Sequence, residues 1–297
     1  MLTIFSVPKA FKGHIATIQR NALKSWTLLQ PRPEIILFGS DEGTAEAAAE
    51  FRLKHIAEIA TNERGAPLLS DMFRRAERVA SAQLMCYVNA DILLPGEFMS
   101  AVQLTQAKFA KSLMVSKRIN IGLTEDLDFS EGWGLRLRSR SDAAGGDPTA
   151  IDVFVFSKET YAQVPDFAIG RLWFDQWLIK AALAQQLPVV DASIVAPVLH
   201  QNHDYSHVAG GAEQVWRGKE PQENLRLYGS KPHSYTLLDV THEIGADGSM
   251  RRVRLRRPAT KIRELAWKLL VQRTVDVRNA LRLRRKFWQR SAAGPRG

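Results

Sequence analysis

The first hundred residues switch repeatedly between two hydrophobic periods. "LTIFSV" (2–7) and "EIILFG" (34–39) are short, nearly unbroken apolar runs, the pattern of buried strands. "HIATIQRNALKSWTLL" (14–29) and "TAEAAAEFRLKHI" (44–56) instead repeat apolar residues at three- and four-residue spacing and predict helices. "APLLSDMFRRAERVASA" (66–82) predicts a third helix, with Pro67 near its start, where proline is tolerated. "LMCYVNADILL" (84–94) then predicts another strand. Strands alternating with helices, their apolar runs offering two faces for burial, predict an α/β fold with a mainly parallel sheet flanked by helices.

The second half is less regular. "SLMVSKRINI" (112–121) and "IDVFVFSK" (151–158) predict strands, and the polar "RLRSRSDAAGGDPTA" (136–150) between them predicts a surface loop. A helix over 173–185 and a strand-like segment over 188–200 follow. "TLLDVTHEI" and "MRRVRLR", separated by "GADGS", predict a β-hairpin, and a long helix runs from Lys261. The expected organisation is a domain over 1–230, a hairpin appendix over 231–257 and a basic helical tail over 258–297.

Composition changes this picture only at the C-terminus. Apolar content of 45% and charged content of 24% are those of a globular chain, and the apolar runs fall short of the roughly 20 residues that cross a bilayer. The N-terminus shows no secretory pattern, and the single Cys86, in an apolar run, excludes an internal disulfide and reads as a buried thiol. A cytoplasmic setting is therefore expected. Residues 251–297 carry 16 Lys/Arg against 2 acidic residues, a net of +14, whereas the other 250 residues carry a net of −4. A basic amphipathic helix with Leu270, Val277, Leu281 and Trp288 on one side fits the inner face of an anionic membrane. A helix docked on the main domain is the alternative. Nucleic acid is not expected, because no recognition motif accompanies the charge.

In a parallel α/β sheet, ligands lie beyond the carboxyl ends of the strands. Ser6 to Lys9, Ser40 to Glu42, and Asn89 with Asp91 occupy such ends. A carboxylate there suits Mn2+ or Mg2+ bound to a diphosphate, and the Asn89 amide, two residues earlier, suits a ribose hydroxyl. A simple strand-to-loop turn would also use Asn and Asp.

Over roughly residues 1–210 the order of elements resembles the GT-A nucleotide-diphospho-sugar transferase superfamily, of the family 2-like kind. "VNADILL" looks like that superfamily's DxD motif with its first acid replaced by Asn89. The resemblance implies a GT-A-like, Rossmann-like fold and transfer of a sugar from a nucleoside-diphosphate sugar to a glycan, lipid-linked or other hydroxyl acceptor. It further implies that Asp91 carries the metal and Asn89 meets the ribose. In "GRLWFDQWLI", Asp175 matches the general base of inverting members, with Phe174 standing where an acidic pair would have its first member. A dipole-favoured Asp at a helix start is the alternative.

Three of the seven histidines fall in "HQNHDYSH" (200–207), together with Asp204. The resemblance covers a metal-ligating histidine after the last sheet strand, and His203 is preferred over His200 and His207. Imidazole suits manganese or zinc, and loop hydrogen bonding is the other use. Ser6, Val7 and Pro8 are candidates for the base or ribose, Asp41 or Glu42 for the base, and Arg64 for phosphate. Trp133 and Trp173 are candidates for the acceptor pocket, and Trp177 for a sugar face or the core. A sugar nucleotidyltransferase would want a Gly-rich, Arg-containing loop where the chain reads "SVPKAFKG". A binding module that keeps the fold without chemistry is the rival from another class.

Overall fold

The computed structural model describes residues 1–139, 147–203, 213, 217–229 and 234–253. The chain divides into Met1–Val253 and Arg254–Gly297; the basic tail, Asp204 and His207 all lie outside the described residues. Strands β1 (Leu2–Ser6), β2 (Glu34–Phe38), β3 (Lys54–Ile56) and β4 (Leu84–Val88) are parallel neighbours in the order β4–β1–β2–β3. Helices α1 (Gly13–Thr27), α2 (Thr44–Phe51) and α3 (Leu69–Val79) connect them. After β5 (Ile92–Leu93) and α4 (Glu97–Lys108) comes the long β6 (Leu113–Ile121), then α5 (Trp133–Ser139) and β7 (Ile151–Ser157). Helix α6 (Phe174–Ala184), β8 (Val189–Asp191), β9 (Val198–Gln201), α7 (Lys219–Tyr228), β10 (His242–Ile244) and β11 (Met250–Arg252) complete the described order.

The main sheet runs β11–β10–β8–β6–β7–β4–β1–β2–β3, with β7 antiparallel to both β4 and β6. The result is a mixed, mainly parallel, Rossmann-like α/β sheet. β6 shifts register between Val115 and Lys117. Its second half turns away to pair with β9, which in turn pairs with β5, and this small second sheet carries residues that matter below.

The alternation of side chains explains both faces. Along β4, Leu84, Cys86 and Val88 face one core, which is mostly aliphatic and covered by α1, α2 and α4. Met85 and Tyr87 face the other, where Phe5, Phe73, Phe154 and Phe156 pack around them under α3 and α6. Each large side chain buried this way contributes about 1.5–3 kcal/mol. Helix α3 buries Leu69, Met72, Phe73 and Ala76, the spacing of one helical face.

Four expectations need correction, the first being the strand expected over 84–94, which is two, β4 and β5, with a turn at Asn89 to Asp91 between them. The helix expected over 44–56 stops at Phe51, because Arg52 takes a left-handed conformation (φ 54°) and Lys54–Ile56 pair with β2 instead. A strand this short carries too little periodicity to announce itself. The segment expected as one strand over 188–200 is two, since Asp191 accepts from the Ser193 amide at 2.8 Å and turns the chain between β8 and β9. The loop expected from 136 begins instead as the end of α5. Helices α4 and α7 were not predicted. The hairpin β10–β11 pairs with β8, so it continues the main sheet. No helix among the described residues is long and apolar enough to cross a membrane.

Candidate active site

Because β4, β1 and β2 are parallel neighbours, their carboxyl ends share one rim. The turn leaving β1 is clamped by buried Gln19, whose Oε1 accepts from the Lys9 amide (2.7 Å) while its Nε2 donates to the Lys9 carbonyl (2.8 Å). Beside it, Gly43 is left-handed (φ 84°), and a Cβ there would meet Phe11 Cβ at 2.6 Å, so only glycine closes this turn against its neighbour. Ser6 is buried and donates to the Val88 carbonyl at 2.6 Å, Val7 packs on the aromatic core and Pro8 is buried. Lys9 is therefore the charged group that this strand end contributes. Burial lowers its pKa, the Asp91 carboxylate opposes that, and Arg171 adds to it.

Asp91 sits in the tight connection between β4 and β5, and the β5–β9 register sets Ile92 opposite His200. Gln201, fully buried, fastens this corner to α1. Its side chain donates to the carbonyls of Asp91 (3.1 Å) and Ile18 (2.7 Å) and accepts from Asn21 (3.1 Å). Asp91 Oδ2 consequently lies 3.1 Å from His203 Nε2 and 3.8 Å from His200 Nε2. One ligand atom from each of the three residues falls within 4.8 Å of the others.

Asp91 Oδ1 and His200 Nδ1 are buried with no hydrogen-bond partner among the described residues. A buried carboxylate oxygen without a donor is costly unless a cation meets it. Burial alone would raise the Asp91 pKa, but His200, the His203 hydrogen bond and Lys9 outweigh it and hold the carboxyl ionised. Burial lowers the His200 pKa, while the Asp91 and Asp152 carboxylates oppose that; a metal takes the imidazole in its neutral form. One carboxylate with two imidazoles fits a divalent cation, and this donor set suits Mn2+ or Zn2+ better than Mg2+, which prefers oxygen throughout.

Asn89 does not face open space with both polar atoms free. Its Oδ1 accepts from Tyr87 OH (2.9 Å) and its Nδ2 donates to Asp152 Oδ1 (2.8 Å). Asp152 Oδ2 accepts from Arg118 at 2.8 Å. On the acceptor side, the chain enters α6 through Trp173, whose left-handed backbone (φ 91°) is strained for so bulky a residue. Buried Asn224 of α7 holds the preceding segment, bonding Ala168 through both its amide groups and donating to the Leu172 carbonyl at 3.0 Å.

Phe174 then points into the core against Tyr87, which is why position 174 holds no acid. Asp175, in the first turn of α6, has Oδ1 buried without a hydrogen-bond partner among the described residues. Burial pushes its carboxyl up to about 7, with Asp152 adding to the rise while the Asp175 and Gln176 amides and Arg118 oppose it. A helix-start Asp that merely served the dipole would be lowered.

Other sequence candidates lie elsewhere. Asp41 and Glu42 are exposed, Glu42 pairing with Lys12 at 2.6 Å. The Arg64 guanidinium is engaged by Glu223 of α7 at 3.0 Å. Trp133 packs edge-on against Phe129 (5.1 Å), while Trp173 lies tilted against Tyr228 (5.3 Å) and the partly buried Trp177 tilted against Phe167 (5.6 Å) at the edge of the core. The sequence did not mark Arg118, Asp152 or Arg171, although a lone acid inside the apolar "IDVFVFS" was a visible signal for Asp152. Cys86 is buried as expected, and burial pushes its thiol up, away from reactivity.

No protein-family model and no curated protein matches the chain. Solved structures similar to it include glucosyl-3-phosphoglycerate synthase from Mycobacterium tuberculosis, in complex with Mn2+, UDP and phosphoglyceric acid (13% identity, TM-score 0.49, 88% of this chain and 90% of that one). Another is S. aureus TarS 1–349 in complex with UDP-GlcNAc (11%, TM-score 0.47, 79% and 68%). The mannosyltransferase PcManGT from Pyrobaculum calidifontis, in complex with GDP-Man and Mn2+, is a third (14%, TM-score 0.42, 68% and 56%). The chain thus spans little more than half of PcManGT, and 57% of TarS 1–349 in another of its structures. These likenesses concern the course of the chain only.

Proposed function

We propose that this GT-A-like protein is a glycosyltransferase, moving a sugar from a nucleoside-diphosphate sugar to an acceptor hydroxyl. The observation that carries the proposal is the Asp91, His200 and His203 cluster at the end of β4, with a buried carboxylate oxygen that no described protein group satisfies. Asp91, His200 and His203 would hold a divalent cation, which when bound would supply Lewis-acid neutralisation of the leaving diphosphate.

Lys9, on the same rim, adds a positive charge for that diphosphate. Asp175, with its carboxyl close to neutral titration, accepts the acceptor's proton as the new bond to the anomeric carbon forms and the bond to the phosphate oxygen breaks. This describes transfer with inversion. Ser6, Val7 and Pro8 are assigned to the nucleotide side, Asn89 to the ribose through its remaining amide hydrogen, Asp41 to the base and Arg64 to phosphate. Trp133 and Trp173 are assigned to the acceptor. The segment 258–297 is assigned to an anionic membrane surface; liposome binding that survives truncation before Lys261 would reject that part.

The test is release of nucleoside diphosphate from a panel of UDP- and GDP-sugars with Mn2+. Release by the wild-type protein and its loss in Asp91→Ala is the expected result. Absence of both release and ligand-induced thermal stabilisation across the panel would show a fold without this chemistry.

A further inference from the structure

Helix α1 covers the aliphatic core through Ala22, Leu23 and Trp26, yet it also buries side chains that usually stay in water. Asn21 is 3% exposed, and its hydrogen bonds all leave the helix. Its Nδ2 donates to the Glu125 carbonyl and to Gln201 Oε1, both at 3.1 Å, and its Oδ1 accepts from the Leu127 amide at 2.9 Å. One turn further on, Ser25 Oγ accepts from the Leu94 amide (3.1 Å) and Trp26 Nε1 donates to the Ile92 carbonyl (2.8 Å). At the start of the same helix, His14 Nε2 lies 3.1 Å from the Asn202 carbonyl. The bonds from α1 thus fall on either side of Asp91, His200 and His203.

The small second sheet needs this bracing. β5 has two residues and pairs with β9 at two positions, while Asp91 lies just before that ladder and His203 just after β9. A ladder so short does not hold its own geometry in water. The peptide that follows Asp91 is instead held at both ends. Its carbonyl accepts from the Gln201 side chain (3.1 Å) and the Gln201 amide (3.3 Å), and its N–H, that of Ile92, donates to the Asn89 carbonyl (3.1 Å).

We propose that Asn21 and Gln201 form a positioning pair for the cation site: neither supplies a ligand, and together they fix the direction of the Asp91 carboxylate relative to His200 and His203. The proposal rests on the assignment of a cation to those three residues. Gln201 acts directly on the Asp91 peptide, and Asn21 acts through Gln201. By donating to Gln201 Oε1, Asn21 keeps the Gln201 amide turned so that its two N–H groups face the carbonyls of Asp91 and Ile18. Turned over, the oxygen would stand against both carbonyls. Both amide hydrogens and the oxygen of each partner are engaged, and a buried network satisfied in this way specifies one arrangement. For packing alone an apolar pair of similar shape would serve about as well.

The experiment is Mn2+ calorimetry, with the EPR spectrum of the bound ion, on the full chain without any sugar donor. Gln201→Met should weaken Mn2+ about 10–100-fold and Asn21→Leu about tenfold, each with a spectrum altered from wild type. The double variant should lose no more than Gln201→Met alone, because the two residues act as one unit. Asn224→Ala is the control. That buried amide also bonds three backbone groups, those of Ala168 and Leu172, so its loss should lower stability and leave Mn2+ affinity and spectrum unchanged. Should Asn21→Leu fail to fold, Asn21→Ala removes the same bonds and decides by the same readout.

Unchanged Mn2+ affinity and spectrum in the Asn21 and Gln201 variants would overturn the pair's role and leave the cation site and the transferase reading standing. An equal loss in Asn224→Ala would overturn it too, since metal binding would then follow general stability. Mn2+ binding that depends on the pair, with no sugar donor turned over, would remove the transferase reading and keep the pair. A wild-type protein that binds no Mn2+ would overturn the cation site and the pair together.

Discussion

Asp91 and Asp175 are two partly buried carboxyl groups on one rim, and their surroundings drive them in opposite directions. Burial raises the proton affinity of both. Around Asp91, two imidazoles and the Lys9 ammonium overcome that effect, so the group remains an anion. Among the described residues, Arg118, already paired with Asp152, is the one cation that opposes the rise at Asp175, and the carboxyl is left titrating near neutral pH. Desolvation is therefore common to both sites, and the neighbours divide the labour. A permanent anion suits a cation ligand, whereas a group that exchanges its proton near pH 7 suits a base.

The comparison is broken most directly at Asp175. Replacing it by Asn should reduce sugar transfer by about 10²–10⁴-fold while leaving Mn2+ affinity, measured by calorimetry, unchanged. In the wild-type protein the rate should rise with pH through about 7, as the carboxyl ionises. An equal loss of metal binding in Asp175→Asn would mean that the two acids form one site.

At the other pole, Asp91→Ala should weaken Mn2+ binding at least about a hundredfold, and donor turnover with it, without moving the Asp175 titration. His200→Ala and His203→Ala should each weaken Mn2+ by about 10–100-fold, since a carboxylate and one imidazole remain. If neither matters, the cation has been assigned to the wrong residues.

Stability sharpens the same contrast. The folded-state value of Asp175, about 7, lies above the ordinary carboxyl value of 3.8, so the folded protein binds this proton more tightly than the unfolded chain. Folding then loses stability as pH rises from 3.8 towards 7, and the full penalty, on the order of 4 kcal/mol, applies above that range. Asp175→Asn should accordingly unfold at higher temperature than wild type at pH 8, and the advantage should shrink on acidification to pH 5. A gain independent of pH would contradict the raised carboxyl. The smallest effect is expected at Arg64→Ala, whose half-exposed pair with Glu223 should change stability by less than about 1 kcal/mol in denaturant titration.

Much of the fold was legible. Strands β1, β2 and β4 are continuous apolar runs because both sheet faces are covered, and α1, α3 and α6 keep a regular apolar face. The three-residue strand β3 was hidden inside a helical pattern because it is too short to show an alternation of its own. Within the site, Asp91 and Asp175 were visible as acids at element ends, and the histidine cluster as a local excess. His200 was named there but ranked below His203, and only the β5–β9 pairing shows that both reach the same carboxylate oxygen. Lys9 was passed over because nothing local distinguishes it from other loop lysines. Its relation to Asp91 is made by the β1–β4 pairing and by Gln19.

The sequence by itself determined which segments bury apolar surface, in what order they alternate, and which acids stand where strands and helices begin or end. Those are properties of spacing, and spacing is written along the chain. The tertiary structure alone decided what charge those acids carry. Asp91 answers to residues 109 and 112 positions away, and Asp175 to one on a strand that precedes it by 23. An electric field depends on distance in space, and only the pairing of β4 with β7, of β5 with β9, and the bend of β6 bring its sources within range.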